Sequence, residues 1–495
     1  MALIKRNLFI QIIKKMILSL LDFTMKKISS LFIKKSRRWD SESPLHDLDL
    51  WALEKSRTGN IAVCGMDTLD LIKTFGSPLL VINEPKLIHD AKMIQDALTT
   101  TAPSDSLILY SYKTNCIPVI LEKIHALGIG AEVISPYELW LAEKLKVPGD
   151  RIIYNGVNKT RESIERAIRM GVIAINVDHS EEVERIYQVA KGMNKKIRVG
   201  IRLALVSKSQ FGLEVESGEA SYVCKKIMGF SDYLELVCIH FNVVSNAKLS
   251  IVHKSCAHMA LKFMHQLKIE TGAKIEYLDI GGGFGVPTTK KMSGKEYGLY
   301  RLFGCLPKPP SPNDLQSIES FLAEIISSIK ADCREFDLEI PKILIEPGRY
   351  ITSRCEFLLV TVLTVKKRQN GTNFAMCDAG RLSLTFPCDF EFHEVFLANG
   401  FNKKRDKLYN VMGRICTSAD WMFKNKYLPE LKPGDTLAVM DAGAYFSSYS
   451  TNFAFPRPAI VMIAGGKATL IRRAETFEHL TAMDVFESFK PNNQG

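Results

Sequence analysis

The sequence predicts an α/β fold: a parallel (β/α)8 barrel of the TIM type followed by a mainly antiparallel β domain. Two observations carry this. Between residues 80 and 350, eight apolar runs rich in β-branched and aromatic residues alternate with amphipathic stretches, the pattern of repeated β-α units around a parallel sheet. After residue 350 the texture changes to strand–turn–strand signals. A doubly wound sheet is the structural rival; it differs in strand order, which this pattern leaves open.

The elements follow in order. Residues 1–38 hold ten basic residues and one acid, Asp22, so this segment carries most of the net charge of +11 and the rest of the chain is close to neutral. A near-neutral body gives no electrostatic case for nucleic acid. Ile4, Leu8, Ile12, Met16, Leu20, Ile28 and Leu31 recur at helical spacing among those cations. We read residues 1–40 as a basic amphipathic tail suited to peripheral contact with an anionic membrane through 1–38, with a packing arm or a later start at Met25 as the bland readings. No apolar run is long enough to span a bilayer, and no signal-peptide cleavage pattern is present. The expected organisation is then 41–79 as a segment packing on the β domain, 80–350 as the barrel and 351–495 as the β domain.

The eight expected strands are 106–112, 130–135, 151–156, 172–178, 196–205, 234–241, 274–283 and 342–349, with helical periodicity in 138–145 and 251–268. Residues 287–314 combine Lys, Gly and Pro without clean periodicity and read as an inserted loop near the barrel mouth. In the β domain, Asn370-Gly371 and Pro433-Gly434-Asp435 mark turns. Eleven cysteines occur without a C-x-x-C pair. They fit neither a zinc site nor a disulfide framework, so no metal is expected and the thiols read as reduced, in a cytoplasmic setting.

The chemistry gathers at strand ends. Lys113 follows the first run, where barrel active sites collect. A lysine at a strand end is usually only solvated; here, partly desolvated, its pKa is expected to fall, suiting it to attack an aldehyde. Gly281, Gly282, Gly283 and Gly285 follow the seventh run in YLDIGGGFGV, and Glu346-Pro347-Gly348-Arg349 ends the eighth. Glycines let backbone N–H groups approach an anion, and loops after strands seven and eight are common phosphate sites. Glu346 suits a protonated ring nitrogen. Together these residues suit one ligand bearing both a ring nitrogen and a phosphate.

Taken with the β domain, the motifs resemble the fold-type III pyridoxal-phosphate decarboxylases, the diaminopimelate, ornithine and arginine decarboxylase family, over roughly residues 75–465. YSYKTN, GAEVISPYEL, YNGVNKT, KSQFGL (208–213), DIGGGFG, EPGR, GRICTSAD (413–420) and GAYFSSYSTNFAFPRPA (443–459) run in that family's order. The resemblance implies an alanine-racemase-like barrel and pyridoxal 5'-phosphate as cofactor. Lys113 would carry it, and Glu346 would keep its ring nitrogen protonated. Gly283, Arg349 and Tyr445 would help bind its phosphate, Gly348 and Ser245 would also contact the cofactor, and Asn242 would stand at its ring. Cys416 would return a proton after carbon dioxide leaves; otherwise it is a buried β-domain thiol. The family's cysteine loop reaches a partner's site, which implies a homodimer with shared active sites.

Three departures bear on the substrate. IHFNVVSN (239–246) puts Asn242 where the family has the histidine that stacks on the cofactor ring, which keeps a non-catalytic binding homologue in view. Thr417 stands where relatives carry a carboxylate for the substrate's distal ammonium. Phe386, in FPCDF (386–390), replaces the arginine that grips a distal carboxylate. An unpaired buried ammonium costs several kcal/mol. The expected substrate is therefore an amino acid whose distal amine is acylated, citryl-capped as in siderophore synthesis, or carrier-tethered. The alternative is a free amino acid of the diaminopimelate or ornithine type. Arg381 and Arg414 are cations placed to meet carboxylates on such a cap, with surface arginines as the plain reading. A racemase on the same barrel is a third reading, less suited to the cysteine motif.

Overall fold

The computed structural model describes residues 43–206, 209–384 and 387–485. The tail at 1–42, with the membrane-contact expectation placed on it, lies outside the described residues, as do Lys208 and Phe386.

Eight parallel strands form a closed barrel: Leu107–Ser111, Gly130–Val133, Ile152–Tyr154, Ala174–Val177, Ile197–Ala204, Leu234–His240, Tyr277–Asp279 and Lys342–Ile345. Each pairs with its neighbours in sequence, and the eighth returns to the first through Leu344 opposite Leu107. Closure in chain order excludes the doubly wound sheet, whose strand order reverses. All eight lie within the runs read from sequence. They are legible because helices cover one face and neighbouring strands fill the other, so both faces are apolar.

The helices carry their own start and stop signals. Ser135 accepts a hydrogen bond from the Glu138 N–H (3.2 Å), and Pro136 occupies the first turn of helix Pro136–Lys144. Thr160 caps Arg161–Met170, and Gly171 ends it with φ of 65°, a left-handed position that glycine adopts freely. Helix Ile251–Thr271 ends on Gly272 in the same way.

The β domain is built around the long strand Glu356–Lys367. It pairs antiparallel with Asn373–Cys377 across the Asn-Gly turn, with Thr436–Val439 and with Leu79–Asn83. Two pairings are parallel: Leu79–Asn83 with Ala459–Ala464, and Asn373–Cys377 with Lys407–Met412. Strand Leu79–Asn83 thus belongs to this sheet, and the barrel's share of the chain begins with helix Glu84–Thr101. Leu45, Leu48, Trp51 and Leu53 pack with Phe357, Phe396 and Val461. Trp51 donates its indole N–H to Asp441 (3.1 Å), which also accepts from Thr288 (2.6 Å) and Ser353 (3.1 Å).

The segment 287–314, expected as an inserted loop, carries short elements of its own. Lys290–Lys291 pairs antiparallel with Glu391–Phe392, and helix Gly294–Phe303 starts with a capping box between Ser293 and Glu296. Met292, Tyr300 and Leu306 pack on Trp421 and Tyr427. The missing periodicity has a physical cause: this short helix buries little more than Tyr300, so its sequence carries no apolar stripe. Among the described residues no helix is long and apolar enough to cross a membrane.

Candidate active site

Lys113 sits in a short 3-10 turn directly after the first barrel strand. Its Nζ lies 2.9 Å from a carboxylate oxygen of Glu132, at the end of the second strand. Glu132 is buried and also accepts from Ser111 (2.5 Å) and Asn155 (3.1 Å). Asn155 donates as well to Glu346 (2.6 Å) and accepts from Asn176 (2.8 Å). One amide thus joins the carboxylates that flank the lysine. The expectation of a lowered Lys113 pKa is overturned. Burial does push it down, but Glu132 and Glu346 outweigh burial, and the ammonium is held above its ordinary value.

Glu346 directly follows the eighth strand, buried beside His240 (3.6 Å) and Asp279. Burial would raise its pKa; His240 and Lys113 outweigh that and keep it below the usual carboxylate range. Asp279 goes the other way, raised by burial and then by the charge on Glu346. The two carboxyls are thus pushed in opposite directions, with Glu346 the one favoured as a carboxylate. Glu346 Oε2 and both ring nitrogens of His240 are buried with no hydrogen-bond partner among the described residues. An ionised carboxylate with an open acceptor suits a cationic ring N–H.

Closure of the barrel brings the remaining pieces beside Lys113. Ser111 N–H donates to Pro347 O (3.1 Å), and a Cβ at Gly348 would stand 2.0 Å from Thr114 Oγ1. Gly281 and Gly283 adopt φ of 67° and 83°, and a Cβ on Gly283 would lie 2.1 Å from Val244 O. These glycines are demanded by backbone contact with the 241–247 segment as much as by any anion. Asn242 is half-buried against Gly281, and Ser245 is exposed on the same segment. Tyr445 has φ of 73°, strained for a residue with a Cβ. It is held by its N–H donating to Thr114 O (2.8 Å), and its ring lies 5.3 Å from the Arg349 guanidinium.

Arg349 makes a buried bidentate pair with Glu391 (2.6 and 3.1 Å). Glu391, Glu132, Asn155, Asp279 and His240 are site residues that sequence reasoning missed. Glu132, Asn155, Asp279 and His240 lie inside quoted motifs, at strand ends, and that position was the available signal.

Cys416 is exposed on the loop of GRICTSAD, not a buried thiol. Asp420 shapes that loop by accepting from the backbone N–H groups of Ile415 and Arg381 (both 2.8 Å), packed against Gly380 and Gly413. Among the described residues, no hydrogen bond or ion pair links this loop to Lys113, Glu132 or Glu346. Thr417 and Arg381 line a cavity of about 420 Å³ with Leu382, Tyr449 and Phe453. Arg381 pairs with Asp389. Arg414 lies over the Phe455 ring at 3.9 Å, so its cation serves packing.

Residues 86–353 match the family described as "Pyridoxal-dependent decarboxylase, pyridoxal binding domain". The chain belongs to this family. It is 27% identical to the diaminopimelate decarboxylase of Aquifex aeolicus over 86% of this chain and 95% of that protein. It is 28% identical to that of Methanocaldococcus jannaschii over 87% and 96%. The crystal structure of the M. jannaschii enzyme superposes with a TM-score of 0.77 at 27% identity, covering 89% of this chain and 99% of that one. A co-complex of the same enzyme with L-lysine gives 0.76. The protein is therefore a pyridoxal-phosphate-dependent decarboxylase by family, and the residues at its barrel mouth fit that cofactor: an open buried acceptor on Glu346, a glycine turn closed to any side chain, and a lysine at the rim.

Proposed function

We propose that this protein removes the α-carboxylate of a free amino acid of the diaminopimelate type, using pyridoxal 5'-phosphate held at Lys113. The observation that carries the reading is the Lys113–Glu132–Asn155–Glu346 array, which sets an amine and an ionised carboxylate at one barrel mouth. When bound, the cofactor supplies an electron sink for the pair left as carbon dioxide departs. The chain's own residues do the rest. Glu346 would hold the ring nitrogen in its protonated form. The Gly281–Gly283 turn would offer N–H groups to the phosphate, and Arg349 is fixed by Glu391. Asn242 would face the ring without the charge an imidazolium would bring. Cys416 delivers a proton to the carbon that lost its carboxylate. Its exposure, and its lack of contact with Lys113 within one chain, favour a site completed by a second copy in a homodimer.

A second reading is favoured by one observation. Thr417 offers no charge, and Asp420, the carboxylate nearest it in the loop, is spent on backbone N–H groups. That arrangement suits a distal amine masked by acylation or by a carrier. The names of the relatives support the free amino acid, and a citryl cap or a place in siderophore synthesis gains nothing from them. The deciding experiment is carbon dioxide release by cofactor-loaded protein from meso-diaminopimelate, lysine, ornithine and N-citryl-ornithine. Preference for free diaminopimelate supports the first reading and preference for the capped compound the second. No release from any of them, with cofactor bound, sinks decarboxylation and leaves a non-catalytic homologue.

A further inference from the structure

The inserted segment places a cation that no motif requires, Arg301, next to Arg381, which lines the cavity at the Cys416 loop. Arg301, from helix Gly294–Phe303, faces Asp389 (3.9 Å), the same carboxylate that pairs with Arg381. Both guanidiniums and the Lys424 ammonium surround the Trp421 ring, at 5.4, 5.9 and 4.9 Å from its centre. Lys424 donates to Arg301 O (2.9 Å), and Arg381 also reaches Ala419 O (3.4 Å). Three cations thus crowd one ring with one paired carboxylate among them. Burial and then the charge of Arg301 push the Lys424 pKa down. Packing alone does not call for this arrangement, since like charges around a single ring repel and an apolar side chain would cover Trp421 as well. Arg381 opens into the cavity of about 420 Å³ that Thr417 also lines, one residue from Cys416. The opposing charge there, Asp420, has its oxygens taken by backbone N–H groups.

We propose that Arg301 and Arg381, sharing Asp389 beside Trp421, form an anion site that receives a distal carboxylate of the substrate. This rests on the decarboxylase reading for the word substrate, but the anion site itself does not. Guanidiniums grip carboxylates through paired N–H groups, and two of them around one internal carboxylate leave capacity for a second. Arg381 touches the ligand, while Arg301 and Lys424 supply field. The ligand class is an amino acid with a carboxylate at its far end, which would restore by another route the contact that the phenylalanine at 386 lacks.

The test uses full-length, cofactor-loaded protein and glutarate as the probe. Glutarate should change the tryptophan fluorescence in a saturable way, and Trp421→Phe should remove that change. Arg301→Gln and Arg381→Gln should each weaken glutarate by about tenfold, the effect of roughly 1.4 kcal/mol. Arg301→Lys, which keeps the charge, should weaken it less than Arg301→Gln. In parallel, the kcat/KM ratio of diaminopimelate over lysine should fall about tenfold in Arg301→Gln. Equal glutarate affinity in wild type and both Gln variants overturns the inference, as does a loss in Arg301→Lys equal to that in Arg301→Gln, which would mark a packing role. If glutarate binds in this Arg-dependent way while no amino acid releases carbon dioxide, the decarboxylase reading fails and the anion site stands.

Discussion

Replacing Glu132 by Gln should make Lys113 reactive at lower pH. The carboxylate lies 2.9 Å from Nζ and is the largest influence holding the ammonium up against burial. At that distance two unit charges attract by roughly 1.4 kcal/mol at the dielectric of water and roughly 5.7 kcal/mol at an effective dielectric near 20. One pK unit corresponds to about 1.36 kcal/mol, so the bounds are roughly one and four units. A third of the Lys113 side chain is exposed, which favours the lower half. Ser111 and Asn155 donate to different oxygens of Glu132, so Gln, with one oxygen, keeps one of these acceptors and turns the other into a donor. With the charge gone, burial dominates and the amine form appears earlier. The assay incubates apo-protein with pyridoxal phosphate across a pH series, traps the adduct with borohydride and quantifies modified Lys113 by peptide mass spectrometry. The midpoint should fall by about one to two units relative to wild type. An unchanged or higher midpoint would refute the assignment of Glu132 as the group that sets the charge on Lys113.

Other perturbations follow from the same geometry. Cys416→Ala should lower kcat by at least about tenfold while cofactor absorbance is retained, because proton delivery is lost and the cofactor contacts are not; unchanged turnover removes Cys416 from the reaction. Gly283→Ala should cost about 2 kcal/mol or more, since it adds a Cβ at φ of 83° and 2.1 Å from Val244 O; an unshifted thermal midpoint would show that the turn yields freely. Glu138 has its pKa raised to about 7 by burial and then by the charge on Glu132. Its folded-state pKa exceeds the unfolded value, so the folded protein binds the extra proton and stability declines as pH rises from about 4.5 through 7. Glu138→Gln keeps an acceptor for the Ile134 N–H (2.7 Å) and should flatten that decline; an identical stability–pH curve in urea melts would count against it.

The barrel was readable because each strand is apolar on both faces, and a run of that kind survives in a linear pattern whatever packs against it. The strand-end motifs at 113, 281–283 and 346–349 were readable because barrel strands aim their C-terminal ends at one mouth. Sequence periodicity did not assign Leu79–Asn83 to the β domain, because an apolar run carries no record of which sheet it will join. Nor did it find the helix at 294–303, whose contacts lie almost wholly with a distant strand. What a charge does was decided only in three dimensions. Lys113 is held cationic because Glu132, nineteen residues away in sequence, ends the neighbouring strand. Arg349 is engaged because Glu391 folds back onto it from the other domain. Residue types and their order determine which elements form and which ends they decorate; pairing energies depend on separations of a few ångströms, and only the closed fold sets those.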